Sequence, residues 1–124
     1  MTLDEFFQQQ EQSRQLFEAV RLGLDGIGEV ELRVSKSQIA FRRRRAFAWV
    51  WIPRQYLATK GNQRRELAPL VLTVALRHLD PSPRWKEIVE PAHGRFTHHL
   101  ELYAVSDVDE QVRGWMREAW LLAT

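Results

Sequence analysis

The densest set of chemically useful side chains lies between positions 33 and 65. This stretch holds ten basic residues (Arg33, Lys36, Arg42, Arg43, Arg44, Arg45, Arg54, Lys60, Arg64 and Arg65) and no Asp or Glu. The rest of the chain carries eight basic and sixteen acidic residues, so a net charge of +2 conceals a split of +10 against −8. Such a division points to an anionic partner for the basic segment, or to two charged faces that meet between copies of the chain. Phe47, Trp49 and Trp51, bordered by Arg45 and Arg54, are spaced by two, which in a strand places them on one face. Single-stranded nucleic acid uses this pairing, with bases stacked on the rings and phosphates held by cations. Ala48, Val50 and Ile52 are apolar too, so the sequence leaves open whether the aromatic stripe is a binding surface or core. Arg42–Arg45 reads as a hairpin tip, where guanidinium forks suit phosphate and charge also protects an edge from aggregation.

Other chemistries find less support. The chain has no cysteine, which removes disulfides, thiolate nucleophiles and cysteine-ligated metal. His93, His98 and His99 are close in sequence, but adjacent strand residues point to opposite sides. At most one of the pair could join His93, and no acid at ligand spacing completes a metal set. A strand histidine hydrogen-bonded beside Trp85 or Tyr103 is the expected state. There is no Gly-rich phosphate loop, nucleophile elbow or HExxH. Ser35 and Ser37 flank Lys36 with no base placed beside them, and Glu87, Glu90 and Glu101 read as surface acids. We therefore expect no catalytic residues and no cofactor.

The elements that position these residues can be read from periodicity. Thr2 and Glu5 form a capping-box pattern, and Phe6, Phe7, Leu16, Phe17, Val20 and Leu24 recur at near-helical spacing. The polar stretch from Gln8 to Gln12 implies two helical pieces, with Ser13 capping the second. Strands follow at 30–34, 37–43 and 46–53, with the tip of a hairpin at Arg43–Arg45. Residues 54–68 read as a loop near the length at which loops are functional or disordered. Leu70–Leu79 and Arg95–Tyr103 complete five strands, and Trp85–Glu90 reads as a short helical turn stopped by Pro91. After a capping pattern at Ser106 and Asp109, the residues Val108, Val112, Trp115, Met116, Ala119 and Trp120 line one face of a closing helix. The expectation is one α+β domain over residues 1–124, with helices on one face of an antiparallel sheet. Its open face then carries Arg33, Arg42, Thr73, Arg77, Thr97, His99, Glu101 and Tyr103. The longest apolar run, Ala46–Ile52, falls far short of the ~20 residues of a membrane helix. The N-terminus is acidic and glutamine-rich where a signal peptide needs an apolar core, so a cytoplasmic protein is expected.

Several of these segments together carry a resemblance. Val34-Ser35-Lys36-Ser37-Gln38-Ile39-Ala40-Phe41, Phe47-Ala48, Trp51-Ile52-Pro53, Arg84-Trp85-Lys86-Glu87, Pro91, Arg95-Phe96-Thr97-His98-His99 and the stretch from Asp107 to Trp120 resemble the DUF5655 family of uncharacterised bacterial domains. The likeness spans about residues 6 to 123. It implies no established activity, and similar sequences that look fused to nuclease-like domains incline the reading toward nucleic acid. Arg42–Arg45 and the 54–68 loop look particular to this chain. The expectation is a non-catalytic domain that binds nucleic acid or another anionic ligand through Lys36, Arg42, Arg44, Trp85, Lys86, Arg95 and His99. The alternative is a protein interaction module or homodimer.

Overall fold

Local sequence starts the chain as a helix and soon breaks it. In the computed structural model, which describes residues 1–53 and 67–124, Thr2 and Glu5 cap α1 (Leu3–Phe6) reciprocally, backbone N–H to side-chain oxygen at 2.8 and 3.1 Å. Gln9 then adopts φ 59°, a left-handed conformation that ends the run. The second piece, α2 (Glu11–Asp25), begins at Gln10. Ser13 does not cap it, contrary to expectation. Its buried hydroxyl donates to the Pro69 carbonyl at 2.7 Å and ties α2 to the sheet.

The sheet has six antiparallel strands in the order β1-β2-β3-β4-β6-β5. They are β1 (Glu31–Val34), β2 (Ile39–Arg42), β3 (Ala46–Trp51), β4 (Leu70–Leu76), β5 (Glu87–Ala92) and β6 (Arg95–Leu102). The fold is α+β, with one strand more than periodicity gave. The added strand is β5, which replaces the helical turn expected at Trp85–Glu90. Ile88 alone in β5 is half-buried, so its sequence shows no alternation. Gly94 at φ 74° turns the chain into β6, and Pro91 sits at an edge-strand irregularity, where a missing N–H is tolerated. The expected 54–68 loop falls almost wholly outside the described residues, together with Arg54, Lys60, Arg64 and Arg65.

Both helical elements cover one face. Phe7, Phe17 and Phe41 run in ring contact from the N-terminal helices to β2, with centroids 5.2 and 6.1 Å apart. The closing helix α3 (Glu110–Leu122) is capped by Asp109, whose carboxylate accepts from Val112 N–H. Ser106 lies instead in a preceding 3₁₀ turn. Val112, Trp115, Met116 and Ala119 are buried against the sheet, as the apolar stripe predicts. Trp120 completes the contact by donating its indole N–H to the Glu29 carbonyl at 2.9 Å. Among the described residues, no helix is long and apolar enough to cross a membrane.

Candidate functional site

Strand register decides what the helix-free face presents. Ile39 and Phe41 pair with Val50 and Ala48 and point to the helices, so Ala40 and Trp49 point away, and Trp49 pairs onward with Thr73. Thr73 pairs with His99, and His99 with Glu87. One cross-strand row on the open face therefore reads Arg33, Ala40, Trp49, Thr73, His99, Glu87. The next row carries Trp51, Val71 and Glu101. Phe47 does not join its two neighbours as the spacing of two implied. A bulge sets both Ala46 and Phe47 against Arg42, which reverses the alternation and sends Phe47 into the core at 1% exposure.

Trp49 and Trp51 are half-buried on this face, and hydrogen bonds fix the second. The Trp51 indole N–H donates to the Thr73 hydroxyl at 3.1 Å, and that hydroxyl lies 2.7 Å from His99 Nδ1. Burial holds His99 below the usual histidine range, ahead of the opposing influence of Glu87. Neutral His99 then accepts from Thr73 through Nδ1 and keeps Nε2–H as a donor. Trp49 has Ala40 and Thr73 as its lateral neighbours, both too short to cover an indole. The Arg95 guanidinium stands 5.9 Å from its ring centre and also donates to the Ala46 carbonyl at 3.5 Å.

The residues singled out from sequence divide into three groups. Arg95 and His99 join Trp49 and Trp51. Lys86 and Arg42 reach the same face but are engaged by acids, Lys86 with Glu101 at 3.2 Å and Arg42 with Glu31 at 3.7 Å. Lys36 and Arg44 are exposed at opposite ends of the sheet, in the β1–β2 turn and at the β2–β3 tip. Trp85 lies on the helix side and does not meet the others. It is 9% exposed, packs 4.1 Å from Trp115 and 4.8 Å from His98, and donates its indole N–H to Asp80 at 2.9 Å. His98 is fully buried beside it, accepting from Asp80 N–H, while His99 faces the other way. Residues 3–123 match the family model described as Domain of unknown function (DUF5655). The chain belongs to the DUF5655 family. Nothing among curated proteins or solved structures matches this DUF5655 domain significantly.

The arginine tip turns out to be partly structural. The last turn of α3 has no basic residue of its own, and a helix C-terminus favours positive charge. The hairpin supplies it. Arg43 donates to the Trp120 carbonyl at 3.1 Å and lies 3.6 Å over the Trp120 ring, Arg44 N–H reaches the Ala123 carbonyl, and Arg45 reaches the Thr124 carbonyl at 3.4 Å. Alternation placed Arg77 on the open face and not in a site. Yet Arg77, Arg45 and His93 gather with Arg95 around one recess at the end of the sheet. Only the closure of β4, the β5–β6 turn and the hairpin tip at the same end brings them together.

Proposed function

We propose that this domain binds single-stranded nucleic acid on its helix-free sheet face. The reading is carried by one observation: Trp49 and Trp51 stand on that face, half-exposed, with Arg95 over the edge of the pair. Bases of any identity stack on an indole, and a guanidinium beside it takes the phosphate. Trp51, held by Thr73, loses little freedom on stacking, which favours binding. Glu31 is engaged by Arg33 and Arg42 and Glu101 by Lys86, while Glu87 stands beside His99 without an ion pair among the described residues. Arg95 is engaged by no acid among the described residues and lies beside the Trp49 ring.

Titration of intrinsic fluorescence with a short oligothymidine at about 50 mM salt tests the reading. Quenching is expected, and the affinity falls as salt rises, with a log–log slope of about −0.7 for each phosphate neutralised. A folded protein at tens of micromolar, a concentration inside the roughly 10⁻⁴–10⁻⁶ M range of non-specific binding, that shows no quenching refutes it. Sedimentation in the same buffers tests self-association through the +10 and −8 regions. Those charges are already spent in part on Glu31 and the end of α3, so a monomer at low salt is expected.

A further inference from the structure

We propose that the recess at the arginine-tip end of the sheet receives the terminal phosphate monoester of the strand whose bases lie on Trp49 and Trp51. This rests on the nucleic-acid reading and names the group that ends the bound strand. The recess encloses about 250 Å³, and Arg45, Arg77, Arg95 and His93 surround an apolar lining that includes Phe47 and Leu76. Among the described residues, no Asp or Glu lines it. None of the three arginines is in an ion pair among the described residues, although Arg14, Arg21, Arg33, Arg42 and Arg84 all are. Three arginines that line one recess favour an anion there over none, and a multivalent anion more than a monovalent one.

Size and charge select the ligand. The volume lies below the roughly 300–1,000 Å³ of sites that enclose whole small molecules, so a compact group suits it. A phosphate monoester carries about −1.5 to −2 at neutral pH, whereas an internal diester carries one charge. The monoester is the better match for three cations. The existing bonds of Arg45 to Thr124 O at 3.4 Å and of Arg95 to Ala46 O at 3.5 Å are long, and each fork keeps further donors. Arg77 is exposed and contributes its whole fork. Position supplies the connection: Arg95 borders both the recess and the Trp49 ring. On the helix side the last turn of α3, through Ala119, Leu122 and Ala123, closes the recess. A strand that enters from the open face meets this helix end behind the recess, which favours a terminal group there.

The test compares three oligothymidines of about eight nucleotides, unmodified, 5′-phosphorylated and 3′-phosphorylated. At least one phosphorylated strand is expected to bind about tenfold tighter than the unmodified strand, one charge-assisted contact's worth. Arg77→Gln and Arg45→Gln should each remove most of that advantage while leaving affinity for the unmodified strand within about twofold. Arg77 has no hydrogen-bond or ion-pair partner among the described residues, so its variant is expected to stay folded, which far-UV circular dichroism checks. Equal affinity for all three strands overturns the terminal-phosphate assignment and leaves the sheet-face reading standing. An advantage that survives both substitutions overturns it too. If no strand binds at all, the nucleic-acid reading fails and this inference falls with it.

Discussion

The tryptophans are divided between the two sides of the sheet, and two alanine substitutions should separate stability from binding. Trp115 is 7% exposed, stacks 4.1 Å from Trp85 and donates its indole N–H to Asp80 at 3.2 Å. Emptying such a site costs about 3–5 kcal/mol, transfer and cavity terms together. The lost ring pair accounts for about 0.5–1.5 kcal/mol of it. Set against the 5–15 kcal/mol that typically holds a domain together, this is a large fraction. Trp49 has its ring on the open face, and its indole N–H bonds to no protein group among the described residues. Trp49→Ala removes partial burial and the Arg95 contact, about 1 kcal/mol. On the proposed reading it also weakens strand binding by about 1–3 kcal/mol. Urea melts followed by far-UV circular dichroism avoid the altered fluorescence, and anisotropy of a labelled oligonucleotide gives the affinity. The expected ranking is opposite in the two assays. A Trp49→Ala variant that loses as much stability as Trp115→Ala, or that binds like the parent, refutes the assignment of Trp49 to a stacking surface.

Two further perturbations probe the scaffold that holds this face. Asp80 accepts from Trp85, Ser82 and Trp115; burial pushes its pKa up, but these donors prevail and hold it below the usual carboxylate range. Its contribution is therefore full above the unfolded value of about 3.9 and disappears as pH falls through the lower folded value. Asp80→Asn keeps one acceptor and should cost about 1–3 kcal/mol at neutral pH. The gap between parent and variant should narrow below about pH 4, and a gap that stays constant to pH 2.5 refutes the linkage. Gly28→Ala should destabilise by about 1–3 kcal/mol, because its Cβ would lie 2.2 Å from the Trp120 ring. An unchanged urea midpoint would mean that Trp120 is not seated there.

Much of this architecture was legible because alternation survives wherever one face is buried. The split of His98 from His99 and the core positions of β2, β4 and β6 follow from it, and the amphipathic α3 follows from the helical repeat. It fails where burial no longer alternates. Most of β5 is exposed, so Glu87–Ala92 gives no strand signal beyond the turn at Gly94. Phe47 was grouped with Trp49 because a bulge is invisible to a count of two. Trp85 was read as a ligand contact beside Lys86, although its partners are Asp80, five residues earlier, and Trp115, thirty residues later. No local pattern announces a contact across that separation.

The basic run shows most clearly why composition alone does not assign roles to residues. Four consecutive arginines read as one anion-binding motif, yet the chain distributes their roles. Arg42 answers Glu31, Arg43 and the Arg44 backbone satisfy carbonyls at the end of α3, and Arg45 both holds Thr124 and borders the recess. Neutralising the whole run would remove positive charge from a helix C-terminus, where such charge contributes about 0.3–1 kcal/mol per interaction. It would also strip the cation from the Trp120 ring. Any loss of binding would then be inseparable from a loosened α3. Arg77 and Arg95 come from β4 and β6, outside the run, and bear little of that structural duty. The residues that best test the proposed anion binding are therefore two single arginines outside the run, of which the sequence reading names Arg95 and passes over Arg77 as a site residue.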